Sequence, residues 1–299
     1  MVDSLRTHSL MPFRDGSTWV EVTRGQSDSR APVVALHGGP GMAHDYLEPL
    51  HGLADDGWPV VLYDQFGCGR STHRPDAPAD SWTVDLFLEE LDAVLDHVGV
   101  SSDYHLFGHS WGGMLAAEHA VRRPAGLRSL ILSNSLASSE LWARGAARLR
   151  AGLPDEVEEV LDRHEAAGTV SDAEYVAATD VYYARHFCRV PHSDFLQASF
   201  AQQAADSTVY QAMWGPNEFA AVGSLKDWSV VDRLGEINVA TLVISGEFDE
   251  ATSECRQPFL DSIADVREVV VANASHVAMI EEPDAYFSAL RAFLSDADG

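Results

Sequence analysis

A chain of 299 residues, 46% of them hydrophobic, is long enough to bury one large core, or one core carrying an insertion. The 46 acidic residues outnumber the 20 basic ones for a formal net charge of −26, and Lys226 is the sole lysine. That balance argues against a nucleic-acid partner, and screening within about 8 Å at physiological salt keeps so diffuse a field from specifying a substrate.

No stretch of about eighteen apolar residues is present to span a bilayer, and Met1-Val2-Asp3-Ser4-Leu5 carries neither the basic cluster nor the apolar run of a signal peptide. The expectation is a cytoplasmic protein with no membrane partner. Cys68, Cys188 and Cys255 lie far apart without C-x-x-C spacing, so free thiols are expected rather than a disulfide framework or zinc site.

In chain order, Thr18–Val22, Val33–Leu36 and Val60–Tyr63 are short apolar runs bounded by turn residues and read as strands. Val84, Phe87, Leu88, Leu91, Val94, Leu95 and Val98 then recur at three- and four-residue steps, which predicts an amphipathic helix with Ser81 as its cap. His105–Phe107 reads as a strand, Trp111 to about Val121 as a helix ending before Pro124, and Leu130–Leu132 as a further strand. Strand, helix and strand in this order imply a parallel sheet covered on both faces.

From about Ser138 to Val230 the strand signal fades and helical patterns take over, as in Asp155–Ala167. An inserted helical cap is expected at 138–230, between core segments 1–137 and 231–299. Strands are expected again at Thr241–Ser245 and Glu268–Val271, then a helix around Asp284–Leu294 and a frayed tail from Ser295 to Gly299.

Gly108-His109-Ser110-Trp111-Gly112 falls between the His105–Phe107 strand and the following helix. A tight strand-to-helix turn there exposes one serine hydroxyl and leaves no room for side chains two residues to either side, which glycine satisfies. A serine hydroxyl needs a base to take its proton and an acid to orient that base. Reactive groups gather at the carboxyl ends of parallel strands, and in this class the chain order is serine, acid, histidine. Asp249 follows the Thr241–Ser245 strand and His276 follows the Glu268–Val271 strand, so these are the expected partners of Ser110. The alternative position for the acid, after Leu130–Leu132, holds Ser133, Asn134 and Ser135 and offers no carboxylate. Backbone N–H groups of Gly39, in the glycine-rich loop after Val33–Leu36, and of Trp111 are the expected oxyanion donors. This chemistry calls for no cofactor and no metal.

His37-Gly38-Gly39-Pro40-Gly41, Asp64-Gln65-Phe66-Gly67-Cys68-Gly69-Arg70-Ser71 and Gly108-His109-Ser110-Trp111-Gly112-Gly113 together resemble the α/β-hydrolase fold, specifically its proline iminopeptidase (prolyl aminopeptidase) branch. Trp214-Gly215-Pro216-Asn217-Glu218-Phe219 looks like the Gly-Pro-Asn-Glu-Phe segment of that branch and of related amino-acid amidases. The resemblance implies an α/β architecture with a mostly parallel central sheet, flanking helices and a helical cap. It also implies a serine hydrolase that releases an N-terminal residue, proline or another small apolar one, from short peptides or amino-acid amides. Glu218 and Glu250 would then hold the substrate's ammonium, and Trp214, Tyr210 and Phe219 are candidates for the wall of an apolar pocket. An esterase, lactonase or biosynthetic acyl hydrolase using the same triad is the alternative, since fold is not function. Cys68 receives no chemical role, and oligomeric state is left open.

Overall fold

In the computed structural model, residues 5–25, 29–219 and 221–299 are described. The chain opens with an antiparallel hairpin, β1 (Leu5–Phe13) and β2 (Gly16–Arg24), followed by β3 (Val33–Leu36), a 3₁₀ helix over His44–Asp56 and β4 (Val60–Asp64). Next come α1 (Val84–Val98), β5 (Tyr104–His109), α2 (Trp111–Ala120) and β6 (Leu127–Ser133). Among the described residues five α-helices and a 3₁₀ helix at Val231–Glu236 intervene before the sheet resumes, the α-helices being α3 (Ser139–Arg150), α4 (Asp155–Ala167), α5 (Ala173–His186), α6 (Asp194–Ala205) and α7 (Thr208–Met213). The chain finishes with β7 (Ala240–Gly246), α8 (Ser253–Ser262), β8 (Val266–Val271), α9 (Ala278–Glu281) and α10 (Pro283–Asp298).

The eight strands form one sheet in the order β1-β2-β4-β3-β5-β6-β7-β8, antiparallel from β1 to β4 and parallel from β4 to β8. Every residue of β3, β4 and β5 is buried, the signature of strands covered on both faces. One face packs with α1, α2 and α8 through residues such as Phe87, Leu91, Leu115 and Phe259; the other packs with the 3₁₀ helix and α10 through Leu47, Leu50, Tyr286 and Leu290. Because β5, β6, β7 and β8 run parallel, the residues that follow each of them emerge at one rim of the sheet.

Three local expectations need correction. The cap of α1 is Thr83, whose side chain accepts the Leu86 N–H at 3.2 Å; Ser81 instead closes a short 3₁₀ turn at Ala79–Ser81. The tail does not fray at Ser295, because α10 continues to Asp298. There the Asp298 carboxylate accepts the Trp58 indole N–H at 2.9 Å and Arg30 at 3.3 Å, and pairs with His105 at 3.1 Å, which ties the last turn under the sheet. Strand β1 has no sequence signal because seven of its nine residues, Leu5 to Leu10 and Pro12, are exposed, so it has no buried face to leave an alternating pattern over most of its length.

Inside the first face, Glu90 of α1 is fully buried; it accepts the Phe66 N–H at 3.0 Å and a bond from the Thr18 hydroxyl. Burial pushes its carboxyl up to about 8.

Candidate active site

The turn from β5 to α2 holds Ser110 at φ 55°, ψ −120°, a sparsely populated conformation that costs on the order of 1–3 kcal/mol and persists only where the surroundings enforce it. The enforcement is visible in its flanks. A Cβ on Gly108 would stand 2.1 Å from the Gly112 carbonyl oxygen, and one on Gly112 would stand 2.1 Å from that of Leu36. The Ser110 N–H donates to the Ser133 carbonyl at 2.9 Å, pinning the turn to β6.

Asp249 and His276 meet at the same rim. Nδ1 of His276 lies 2.8 Å from Oδ1 of Asp249, which places the proton on Nδ1 and leaves Nε2 as an acceptor. Asp249 also accepts the Ala251 N–H at 2.9 Å on Oδ1 and the Asn134 amide at 2.7 Å on Oδ2. That amide additionally donates to the Ser275 carbonyl at 3.0 Å. The His276 loop is held a second time, since the Ser275 N–H and hydroxyl both donate to Glu281, at 2.6 and 2.8 Å. Ser110 and His276 line one small cavity of about 10 Å³, room for about one water, with Gly38, Gly39, Met42, Tyr46 and Glu218. Among the described residues the Ser110 hydroxyl makes no direct hydrogen bond, His276 included; such bonds are commonly loose until substrate closes the site.

Gly39 lies in that cavity with φ 113°, a conformation that disfavours any side chain, and an added Cβ would meet the Gly41 and Met42 amides at 2.5 and 2.7 Å. Among the described residues, neither the Gly39 nor the Trp111 N–H donates to another protein group. Gln65, from the loop after β4, braces both sides. Its amide donates to the His37 carbonyl at 3.0 Å and accepts the Trp111 indole N–H at 2.8 Å. Asp64 shapes the same loop, taking the His44 and Arg70 N–H groups and the His44 ring at 2.8 Å each.

Glu218 and Glu250 both come close to His276. Glu250 is fully buried, among the described residues neither of its carboxylate oxygens makes a hydrogen bond of ordinary geometry although the Tyr182 hydroxyl stands close enough to lower its pKa, and Oε1 lies 3.9 Å from Nε2 of His276. Burial, with the charges of Glu218 and Asp249 added, pushes its carboxyl well above the ordinary range. Glu218 accepts the Tyr210 hydroxyl at 2.8 Å; burial raises its carboxyl too, against the lowering effect of Tyr210 and His276. Among the described residues neither carboxylate has an arginine or lysine partner. The loops are clamped from the helical segment, where the His186 carbonyl, ending α5, accepts the N–H groups of both Glu250 and His276 at 3.2 Å.

A larger cavity of about 380 Å³ shares Glu218 and Phe187 with the small one and is walled by Tyr183, Phe200 and Tyr210 among others. Tyr210 therefore stands where a pocket wall was expected. Trp214 and Phe219 line neither cavity: Trp214 is buried edge-on against Trp142 at 5.6 Å, and Phe219 packs on Tyr182 at 5.1 Å and under Arg150. The rings beside His276 instead include Trp142 and Phe187, at 5.9 and 5.6 Å. Neither carries a local motif, and neither was anticipated. Asn134 was passed over because only a carboxylate was sought at its position.

Residues 31–283 match the family model described as the alpha/beta hydrolase fold. A proline iminopeptidase of Saccharolobus solfataricus is 38% identical over 268 residues, covering 89% of this chain and 85% of that protein. The crystal structure of a Mycobacterium smegmatis proline iminopeptidase superposes with a TM-score of 0.92 at 49% identity, covering 98% of this chain and 99% of that one. The crystal structure of VinJ superposes with a TM-score of 0.95 at 48% identity, covering 97% and 99%. With the elbow at Ser110 and the mostly parallel eight-stranded sheet, these likenesses identify the chain as a hydrolase that belongs to the α/β-hydrolase fold family, in its proline iminopeptidase branch.

Proposed function

We propose that this hydrolase is a serine aminopeptidase or amidase that releases an N-terminal residue, proline or another small apolar one, from short peptides or amino-acid amides. The observation that carries the reading is Glu250. A fully buried carboxylate with no ordinary hydrogen bond among the described residues, beside a second carboxylate and 3.9 Å from His276, costs several kcal/mol unless a cation completes it or it takes up a proton. A substrate ammonium supplies that cation next to the reacting carbonyl, and it restores the ionised form that burial disfavours. A pyrrolidinium has two N–H donors, one for each of Glu218 and Glu250.

In this mechanism Ser110 Oγ attacks the carbonyl carbon while Nε2 of His276 takes its proton. Asp249 keeps the ring in the required tautomer and stabilises the imidazolium. The Gly39 and Trp111 N–H groups receive the developing oxyanion, each donor worth about 3–4 kcal/mol of barrier. His276 then passes the proton to the leaving nitrogen as the C–N bond breaks. Water adds to the acyl-enzyme by the same route in reverse roles. Residues 138–230 act as a cap that limits access, so that short substrates are favoured.

A panel of aminoacyl anilides, free and N-acetylated, tests the reading. Turnover of the free forms with prolyl or small apolar residues leading, and none of the acetylated forms, is expected; equal turnover of both overturns it in favour of a general acyl hydrolase.

A further inference from the structure

Two buried rings outside the triad join the two loops on which acyl transfer depends. The Gly38 N–H donates to the Tyr46 hydroxyl oxygen at 2.7 Å, that hydroxyl lies 3.0 Å from Nδ1 of His109, and Nε2 of His109 lies 2.8 Å from the His276 carbonyl oxygen. A carbonyl only accepts, so Nε2 of His109 carries the proton, and a neutral ring then offers Nδ1 as acceptor to the Tyr46 O–H. The bonds therefore run one way, from Gly38 through Tyr46 and His109 to His276, with every donor and acceptor used. The rings interlock edge to face, His109 against Tyr46 at 5.2 Å and against His276 at 5.0 Å, and both are buried. Burial, with His276 beside it, holds His109 down at about 3, so it adds no positive charge next to the imidazolium that forms during the reaction.

The consequences are specific at each end. Tying the Gly38 N–H to Tyr46 fixes the His37–Gly38 peptide, one before the peptide that carries the Gly39 N–H, and among the described residues that N–H is left without a protein acceptor beside Ser110. Holding the His276 carbonyl fixes the main chain of the base, complementing the Asp249 bond to its ring. No other described side-chain chain of bonds links these two loops directly. We infer that Tyr46 and His109 are positioning residues that keep the Gly38–Gly39 loop and His276 in register about Ser110. The inference rests on the reading of Ser110, His276 and Gly39 as acyl-transfer machinery, and not on which amine the site accepts.

The test uses the full-length protein and its variants Tyr46→Phe, His109→Leu and His109→Gln. The rate of Ser110 phosphonylation by an alkyl fluorophosphonate is measured together with kcat and KM on prolyl anilide, at a temperature where each variant retains its folded circular dichroism. Tyr46→Phe and His109→Leu are expected to slow phosphonylation and lower kcat about tenfold or more, with KM nearly unchanged. His109→Gln, whose amide offers an acceptor and a donor, is expected to recover part of the loss. Folded Tyr46→Phe labelled at the wild-type rate overturns the inference, as does a KM-only effect. Failure of wild-type Ser110 to label overturns the acyl-transfer reading as well. Normal labelling with no anilide turnover removes the aminopeptidase reading alone, and phosphonylation then still decides the role of Tyr46 and His109.

Discussion

Asn134 donates its side-chain amide to Oδ2 of Asp249 at 2.7 Å, on the side of the carboxylate away from the oxygen that holds His276. Asn134 itself stands just past the end of β6 at φ 49°, a left-handed conformation that asparagine tolerates better than most residues, and its amide also reaches the Ser275 carbonyl. One side chain thus holds Asp249 and the His276 loop together.

Asn134→Ala removes one charge-assisted bond to a buried carboxylate, worth about 1.5–3 kcal/mol. A loss of about tenfold or more in kcat is expected, with KM little changed. Steady-state kinetics on a prolyl anilide checks this, and an unaltered kcat shows that Asp249 is oriented without Asn134.

The elbow, the glycine loop and the meeting of Asp249 with His276 were legible because each answers a steric or chemical demand that few residues meet. Gly108 and Gly112 admit no Cβ, and Asp249 and His276 follow β7 and β8, at the rim where the residues after β5 also emerge. Asn134 was illegible for the converse reason: an amide that supports a carboxylate looks like any turn residue. Within the helical segment, aromatic rings are exchangeable fillers of apolar space, and sequence alone does not separate Trp142, which packs on His276, from Trp214, which packs behind it. The exposed strand β1 left no alternating pattern over most of its length, and the anchored Asp298 depended on Trp58, distant in the chain.

Glu90 gives a pH prediction independent of catalysis. Its folded-state value near 8 lies above the unfolded one, so the unfolded state releases its proton first and stability falls as pH rises from about 4.5 through about 8. Glu90→Gln, which stays neutral, is expected to raise Tm relative to wild type more at pH 8 than at pH 5. Thermal melts at both values decide it; a Tm difference that is constant or larger at pH 5 contradicts the assignment.

Access offers another check. The space at Ser110 is about 10 Å³, and it shares Glu218 and Phe187 with a cavity of about 380 Å³ lined by residues of the helical segment, so approach to Ser110 past that segment is expected to limit substrate size. Cleavage of an N-terminal proline should slow from dipeptide to tripeptide to folded protein. Equal rates on a tripeptide and a folded protein with the same N-terminus would show that the cap does not select for length.

The central claim, that buried carboxylates read a free amine beside Ser110, is tested most directly by Glu250→Gln and Glu218→Gln. The measurement is kcat/KM on prolyl anilide against that on a simple acyl ester without an amine. Breaking a buried charge pair costs about 2–5 kcal/mol, so the anilide value should fall about thirtyfold or more while ester hydrolysis stays close to wild type. An equal fall on both substrates, or no fall on the anilide, contradicts the account.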